Sequence, residues 1–181
     1  MTTTARLSHK HQNELVHLMH CQAFELGKKV VEESTFKTID SNLKIAINKV
    51  NKAFQFASKQ DGFYLEAVML FAVGYASALY DLSVEFSVYL DTVEKTDVEV
   101  NGNRYQLKLG KFDIDQSYMR LLAQHNVELM IIRTSNQAKH VGGYSLVEAF
   151  TKIMIDAELN DDDVSDMQNL IDVLKNIQKY L

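Results

Sequence analysis

The segment Phe63–Leu82, FYLEAVMLFAVGYASALYDL, limits the folding choices of this chain more than any other. Apolar residues fall on every side of its helical wheel, so a helix built from it has no face for water. Only a bilayer or a protein interior satisfies such a helix. The stretch is long enough to cross the hydrocarbon layer if Glu66 and Asp81 sit near its ends. It has neither a flanking Lys/Arg cluster nor a tryptophan belt, and the rest of the chain is patterned for a water-soluble core. A buried central helix with no membrane is therefore expected. Gly74 and Ala78, with Ala72 and Ala76, would mark close approach by another helix.

Two amphipathic segments precede it. From about Ser8 to Glu33, Leu15, Val16, Met19, Ala23, Leu26 and Val30 share one helical face. From Asp40 to about Lys59, Leu43, Ala46, Ile47, Val50, Ala53, Phe54 and Ala57 form a stripe, with Asp40 or Ser41 available as N-cap. Past the central helix the period changes: Val84, Phe86, Val88 and Leu90 alternate with polar residues as in a half-buried strand, a continuing helix being the competing reading. Asn101-Gly102 then separates two alternating runs, and this dipeptide readily takes the positive φ angles of a tight hairpin.

Farther on, Asp115 can cap a short helix through about Gln124, and Val127–Ile132 reads as a buried strand. Ser145 and Glu148 have capping-box spacing before a helix that runs to about Leu159. A last helix is expected from about Asp162 to Leu181, with acids at its start and Lys175 and Lys179 near its end, as the helix dipole prefers. The expected order is ααα-βββ-α-β-αα: about six helices with a small, mainly antiparallel sheet in a helix-rich α+β fold.

The 181 residues suit one domain spanning 1–181, and 46% hydrophobic with 24% charged residues excludes a disordered chain. A single cysteine, Cys21, excludes an intramolecular disulfide, and the first residues hold no apolar leader, so the cytoplasm is the expected compartment.

No nucleophile elbow, phosphate loop or dinucleotide glycine pattern is present. The carboxylate pairs Glu32/Glu33, Asp113/Asp115 and Asp161–Asp163 sit near helix ends, where acids are stabilised or solvated. The first helix carries His9, His11, His17 and His20. On its wheel Glu14, His17 and Cys21 share a polar stripe able to form half of a metal site, though ligands from elsewhere would have to complete it. His20 falls on the apolar side, where a hydrogen-bonded core histidine is the ordinary explanation. In the loop before Leu146, Lys139, His140, Gly142, Gly143 and Ser145 are the candidates for cradling a phosphate on a helix N-terminus, against a plain reading as a turn. No cofactor is expected.

Charge is unevenly distributed. Residues 1–60 hold nine Lys/Arg and five Asp/Glu, a net +4, whereas residues 61–181 hold ten and nineteen, a net −9. In the second helix Lys44, Asn48, Lys49, Asn51, Lys52, Gln55 and Lys59 lie opposite the apolar stripe, and Ile45 and Phe56 point the same way. An apolar pair on a cationic face suits a docking surface, provided the acidic part of the chain does not cover it. The expectation is a non-catalytic interaction or regulatory protein, an adaptor, inhibitor or accessory factor, that binds a protein partner or a second copy of itself through Lys44, Ile45, Lys49, Lys52, Phe56 and Lys59. A nucleic-acid-associated factor using the same face is one alternative. A small metal- or phosphate-ligand-dependent enzyme is the other.

Overall fold

The computed structural model describes residues 9–35, 37–54, 62–110, 115–134 and 143–181. In chain order the elements are α1 (His9–Glu32), α2 (Ile39–Ala53), α3 (Phe63–Tyr80), β1 (Val84–Glu85), α4 (Val88–Thr92), β2 (Val98–Val100), β3 (Asn103–Leu109), α5 (Gln116–Gln124), β4 (Val127–Ile132), α6 (Leu146–Asp156), α7 (Asp161–Asp166) and α8 (Gln168–Gln178). The fold is helix-rich α+β with a small four-stranded mixed sheet.

Helix α3 is the centre of the core, and every residue from Tyr64 to Ala76 is buried, Glu66 included. It packs on α1, α2, β3 and α6, so protein on all sides meets the demand of its all-round apolar surface. By length and composition Phe63–Tyr80 also passes for a membrane span, the one such helix among the described residues, yet most of it lies inside the protein. The expected close approach at Gly74 is present, and α1 supplies its match. A Cβ on Gly74 would run into the Phe24 carbonyl, and one on Gly27 would run into the Phe71 carbonyl. The two backbones touch where each helix lacks a side chain.

The hairpin forms as its turn chemistry requires. Asn101 and Gly102 take φ of 48° and 84°, and Val98 pairs with Tyr105 and Val100 with Asn103. The Asn101 side chain also accepts from Ser83 N and donates to the Ala157 carbonyl, which fastens the turn to both neighbours. The sheet order is β1-β2-β3-β4, antiparallel at the first two pairings and parallel between β3 and β4. Helix α5 makes that parallel crossover, with the Asp115 side chain accepting from Tyr118 N as its N-cap. The Ser145/Glu148 capping box is present and starts α6.

Two expectations are corrected, and together they raise the count from about six helices to eight among the described residues. Val84–Leu90 is not one strand: only Val84–Glu85 pairs, after which the Ser87 hydroxyl caps the Leu90 amide and starts α4. An N-cap serine in the middle of an alternating run resets the backbone from strand to helix. The C-terminal helix is not continuous either. It divides at Met167, whose ψ of 24° departs from helical geometry while its side chain stays buried. Both pieces keep one apolar face inward (Val164, Leu170, Leu174, Ile177), so hydrophobic periodicity runs through the break unmarked.

Candidate functional site

The lysine face of α2 is exposed as far as the described residues extend. Lys44, Lys49 and Lys52 are exposed, and Ile45 is 55% exposed. Phe56 and Lys59 lie outside the described residues. Asn51, expected on the same outer face, is half-buried and accepts a 2.5 Å hydrogen bond from the Tyr64 hydroxyl. Nor is the field of Lys44 purely cationic, because it borders a depression shared with Asp40 and with Asp172 of α8.

Between α1 and α2 runs a groove of about 310 Å³. Met19, Ala23, Leu26, Val50, Ala53 and Phe54 give it an apolar lining, and Lys29 and Lys49 stand at its rim with Glu25. Farther toward the start of α1, Leu15 and Leu18 are 48% and 54% exposed. Spacings of three and four residues place them on the same face of α1 as Met19 and Gln22. Ile45 and Lys49 line a second depression with Lys29 and Glu33.

The candidate ligand loop divides differently. Lys139, His140 and Gly142 lie outside the described residues. Gly143 has φ 127° and would press a Cβ to 2.8 Å from the Ile131 carbonyl, so glycine is required there to pass the strand end. Three of the amides an anion would use at the start of α6 are occupied by protein. Ser145 N donates to Glu148 Oε2, Glu148 N to the Ser145 hydroxyl, and Leu146 N to Gln178 Oε1. Of the metal candidates, Glu14 is exposed, while His17 and Cys21 are half-buried with Nε2 and Sγ 3.5 Å apart. Among the described residues no three His, Cys, Asp or Glu side chains are placed to hold a metal ion.

A third constellation lies where α1, α3, α4 and β3 meet. Glu66 and Asp97 are 7% and 8% exposed and line one small cleft with Asn13, His17, His20 and Asp91. His20 is the hydrogen-bonded core histidine expected: its Nε2 lies 3.4 Å from the Phe63 carbonyl, which can only accept, so Nε2 carries the proton. The same nitrogen is 3.5 Å from Glu66 Oε2, and the ring stacks on Phe54. Burial lowers the His20 pKa to about 4 and raises that of Glu66 well above its ordinary value, Asp97 adding to the rise. His20 is thus neutral at neutral pH, and its contact with Glu66 is no ion pair.

Asp97 has a clear local role. Strand β2 begins at Val98, so beyond the Val98–Tyr105 pair β3 has no main-chain partner on that side, and Asp97 Oδ2 takes the Leu107 amide at 2.6 Å instead. The same oxygen accepts from Gln106 Nε2, and Gln106 Oε1 accepts from the Tyr118 hydroxyl at 3.2 Å. Asp97 Oδ1 has no hydrogen-bond partner among the described residues. Burial, opposed by Lys108 and the two hydrogen bonds, moves the Asp97 pKa up to about 7, and burial raises Asp91 as well.

Sequence reasoning did not single out this junction. One signal was present: Glu66 is the lone acid within an otherwise apolar helix, and a charge there has no route to water. Nothing local marks Asp97 or Asp91, which reach Glu66 only through the tertiary fold. No protein-family model matches the chain, and comparison with curated proteins and with solved structures finds no match.

Proposed function

We propose that this is a non-catalytic interaction protein of the cytoplasm whose working surface is the α1–α2 face, with α3 serving as an interior helix and not a membrane span. The partner we assign is a protein that presents an amphipathic helix with acidic flanks. One observation carries the reading. An open apolar groove of about 310 Å³ lies between two helices, bordered by Lys29 and Lys49 and continued by exposed Leu15, Leu18 and Ile45. Contiguous exposed apolar surface with a polar rim is the usual form of a protein-docking site. A groove of this size suits one or two buried side-chain anchors, and lysines around it suit carboxylates beside those anchors. Phosphates would be drawn to the lysines but would leave the apolar lining unfilled, which favours a protein over a nucleic acid.

A photo-crosslinking amino acid placed at Ala53, within the groove, tests this, with the same probe at exposed Ile155 as control. In the native cell the Ala53 probe should give one discrete protein adduct that the Ile155 probe does not. Lys49→Glu with Lys52→Glu should abolish it, and a synthetic peptide of the crosslinked segment should bind the wild-type protein and not the double variant. Equal adducts from both positions, or adducts to nucleic acid alone, would overturn the reading. An adduct of twice the chain mass, together with a dimer by solution mass measurement, would replace the heterologous partner with a second copy.

A further inference from the structure

We propose that the junction of α1, α3, α4 and β3 is a proton-binding site that latches α4 onto the fold, so that proton loss from the Glu66–Asp97 pair releases α4. The cleft has room for about 20 Å³, which fits a single water-sized occupant and no organic substrate. Titratable groups line it from three helices and the turn before β2: His17 and His20 from α1, Glu66 from α3, Asp91 from α4 and Asp97. Behind them Lys108 of β3 acts on all three carboxyls and Tyr118 of α5 feels Asp97 and Asp91. Lys95 acts on Asp91 from the turn before Asp97. Three carboxyls against Lys108 and Lys95, with His20 neutral, leave negative charge in a poorly solvated place unless protons are taken up.

A purely structural role for Asp97 does not explain the acid. Its ladder-extending oxygen, Oδ2, makes both hydrogen bonds, and asparagine would make the same two. The remaining oxygen, Oδ1, is buried with no hydrogen-bond partner among the described residues, and Asp97 is one of the residues that line the cleft. A proton on the carboxyl removes the cost of a buried charge without disturbing Oδ2. A metal ion is the other way to supply positive charge, but no three His, Cys, Asp or Glu side chains are positioned for one among the described residues.

Helix α4 is the part that can respond. It has five residues, is held inward by buried Leu90 and half-buried Asp91, and leaves Tyr89 and Val93 60% and 47% exposed. Short, lightly packed elements of this kind open at lower free energy than a core.

The sign of the effect is fixed by the direction of the shift. In the latched form Asp97 holds its proton up to about pH 7; in the proposed open form, where water enters the cleft from the α4 side, its pKa falls toward the ordinary carboxylate value of about 4. Through Asp97, opening therefore becomes easier as pH rises from about 4 to about 7. His20 acts oppositely in the same range, because the latched form excludes a proton that the open form accepts. Comparison at fixed pH of the wild type with Asp97→Asn, which retains His20, isolates the acid.

Amide hydrogen exchange at α4 (88–92) and at α3, in wild type, Asp97→Asn and Glu66→Gln at pH 5 and pH 7.5, makes that comparison with intrinsic rates cancelled. The α4 amides should be less protected than those of α3. The excess protection of Asp97→Asn over wild type in α4 should widen by about tenfold or more between the two pH values. Glu66→Gln should move the same way, and it decides the matter alone if Asp97→Asn does not fold. Three results would overturn the latch: a gap that stays constant with pH in both variants, α4 amides that exchange only with the protection of α3, or Mn²⁺ or Zn²⁺ that protects α4 in wild type but not in Asp97→Asn.

Discussion

The α1–α3 contact differs between its two ends, and the difference shows what each end can do. At Gly27 and Gly74 the helix backbones touch, each glycine facing the other helix's carbonyl, with no space for a side chain or a water. Two turns earlier on α1 the same helix pair separates enough to admit His20 and Glu66, 3.5 Å apart, beside a cleft reaching Asp91 and Asp97. One end is fixed by steric exclusion and is indifferent to pH. The other is held by polar groups whose charge states depend on burial and therefore respond to it.

Enlarging a glycine at the dry end should have the largest effect. Gly27→Val forces a branched side chain against the Phe71 carbonyl, and overpacking of backbone against backbone should cost about 3 kcal/mol or more of unfolding free energy by urea titration. Helix propensity alone predicts a modest gain on replacing glycine. A variant as stable as wild type would erase the contrast between the two ends.

Next in size is Asp97→Asn at the polar end. Asp97 has its folded pKa raised to about 7, so its ionisation weakens the fold progressively as pH rises from about 4 to about 7. The asparagine variant should thus be more stable than wild type at pH 7.5, by about 1–2 kcal/mol, and the advantage should shrink toward pH 4. His20→Gln should show the opposite pH trend with a smaller effect. The folded pKa of His20 is lowered to about 4, so its contribution is present above about pH 6.5 and is lost as pH falls toward 4. Removing the imidazole should make unfolding less acid-sensitive over that range by about 1 kcal/mol. The smallest effect should come from the exposed helix. Lys49→Glu and Lys52→Glu should each change stability by less than about 0.5 kcal/mol at any pH, while the two together remove the groove crosslink.

What could be read from the sequence was mostly what neighbours decide. The Asn101-Gly102 hairpin, the Asp115 cap and the Ser145/Glu148 box depend on side chains acting within three or four residues, and all formed where expected. Helix α4 was missed because Val84–Leu90 alternates like a strand, while one hydroxyl, that of Ser87, decides where the strand stops. The break at Met167 carries no glycine or proline signal. The same division holds for function. The exposed lysines and Ile45 of α2 were visible on a helical wheel, but the groove needs α1 laid beside α2, which one helix's pattern does not specify. Glu66 stood out as a lone acid, whereas Asp97 acquires its burial and its orphan oxygen only when β3 pairs with β2 and α3 lies nearby.

The direct measurement of the polar end is a carboxyl-carbon NMR titration of Asp97 in the wild-type protein, assigned by its disappearance in Asp97→Asn. The account predicts a midpoint near the value of about 7 that burial imposes. A titration complete below about pH 5, in the ordinary carboxylate range, would show that the junction is solvated and that the two ends of the α1–α3 contact do not differ as described.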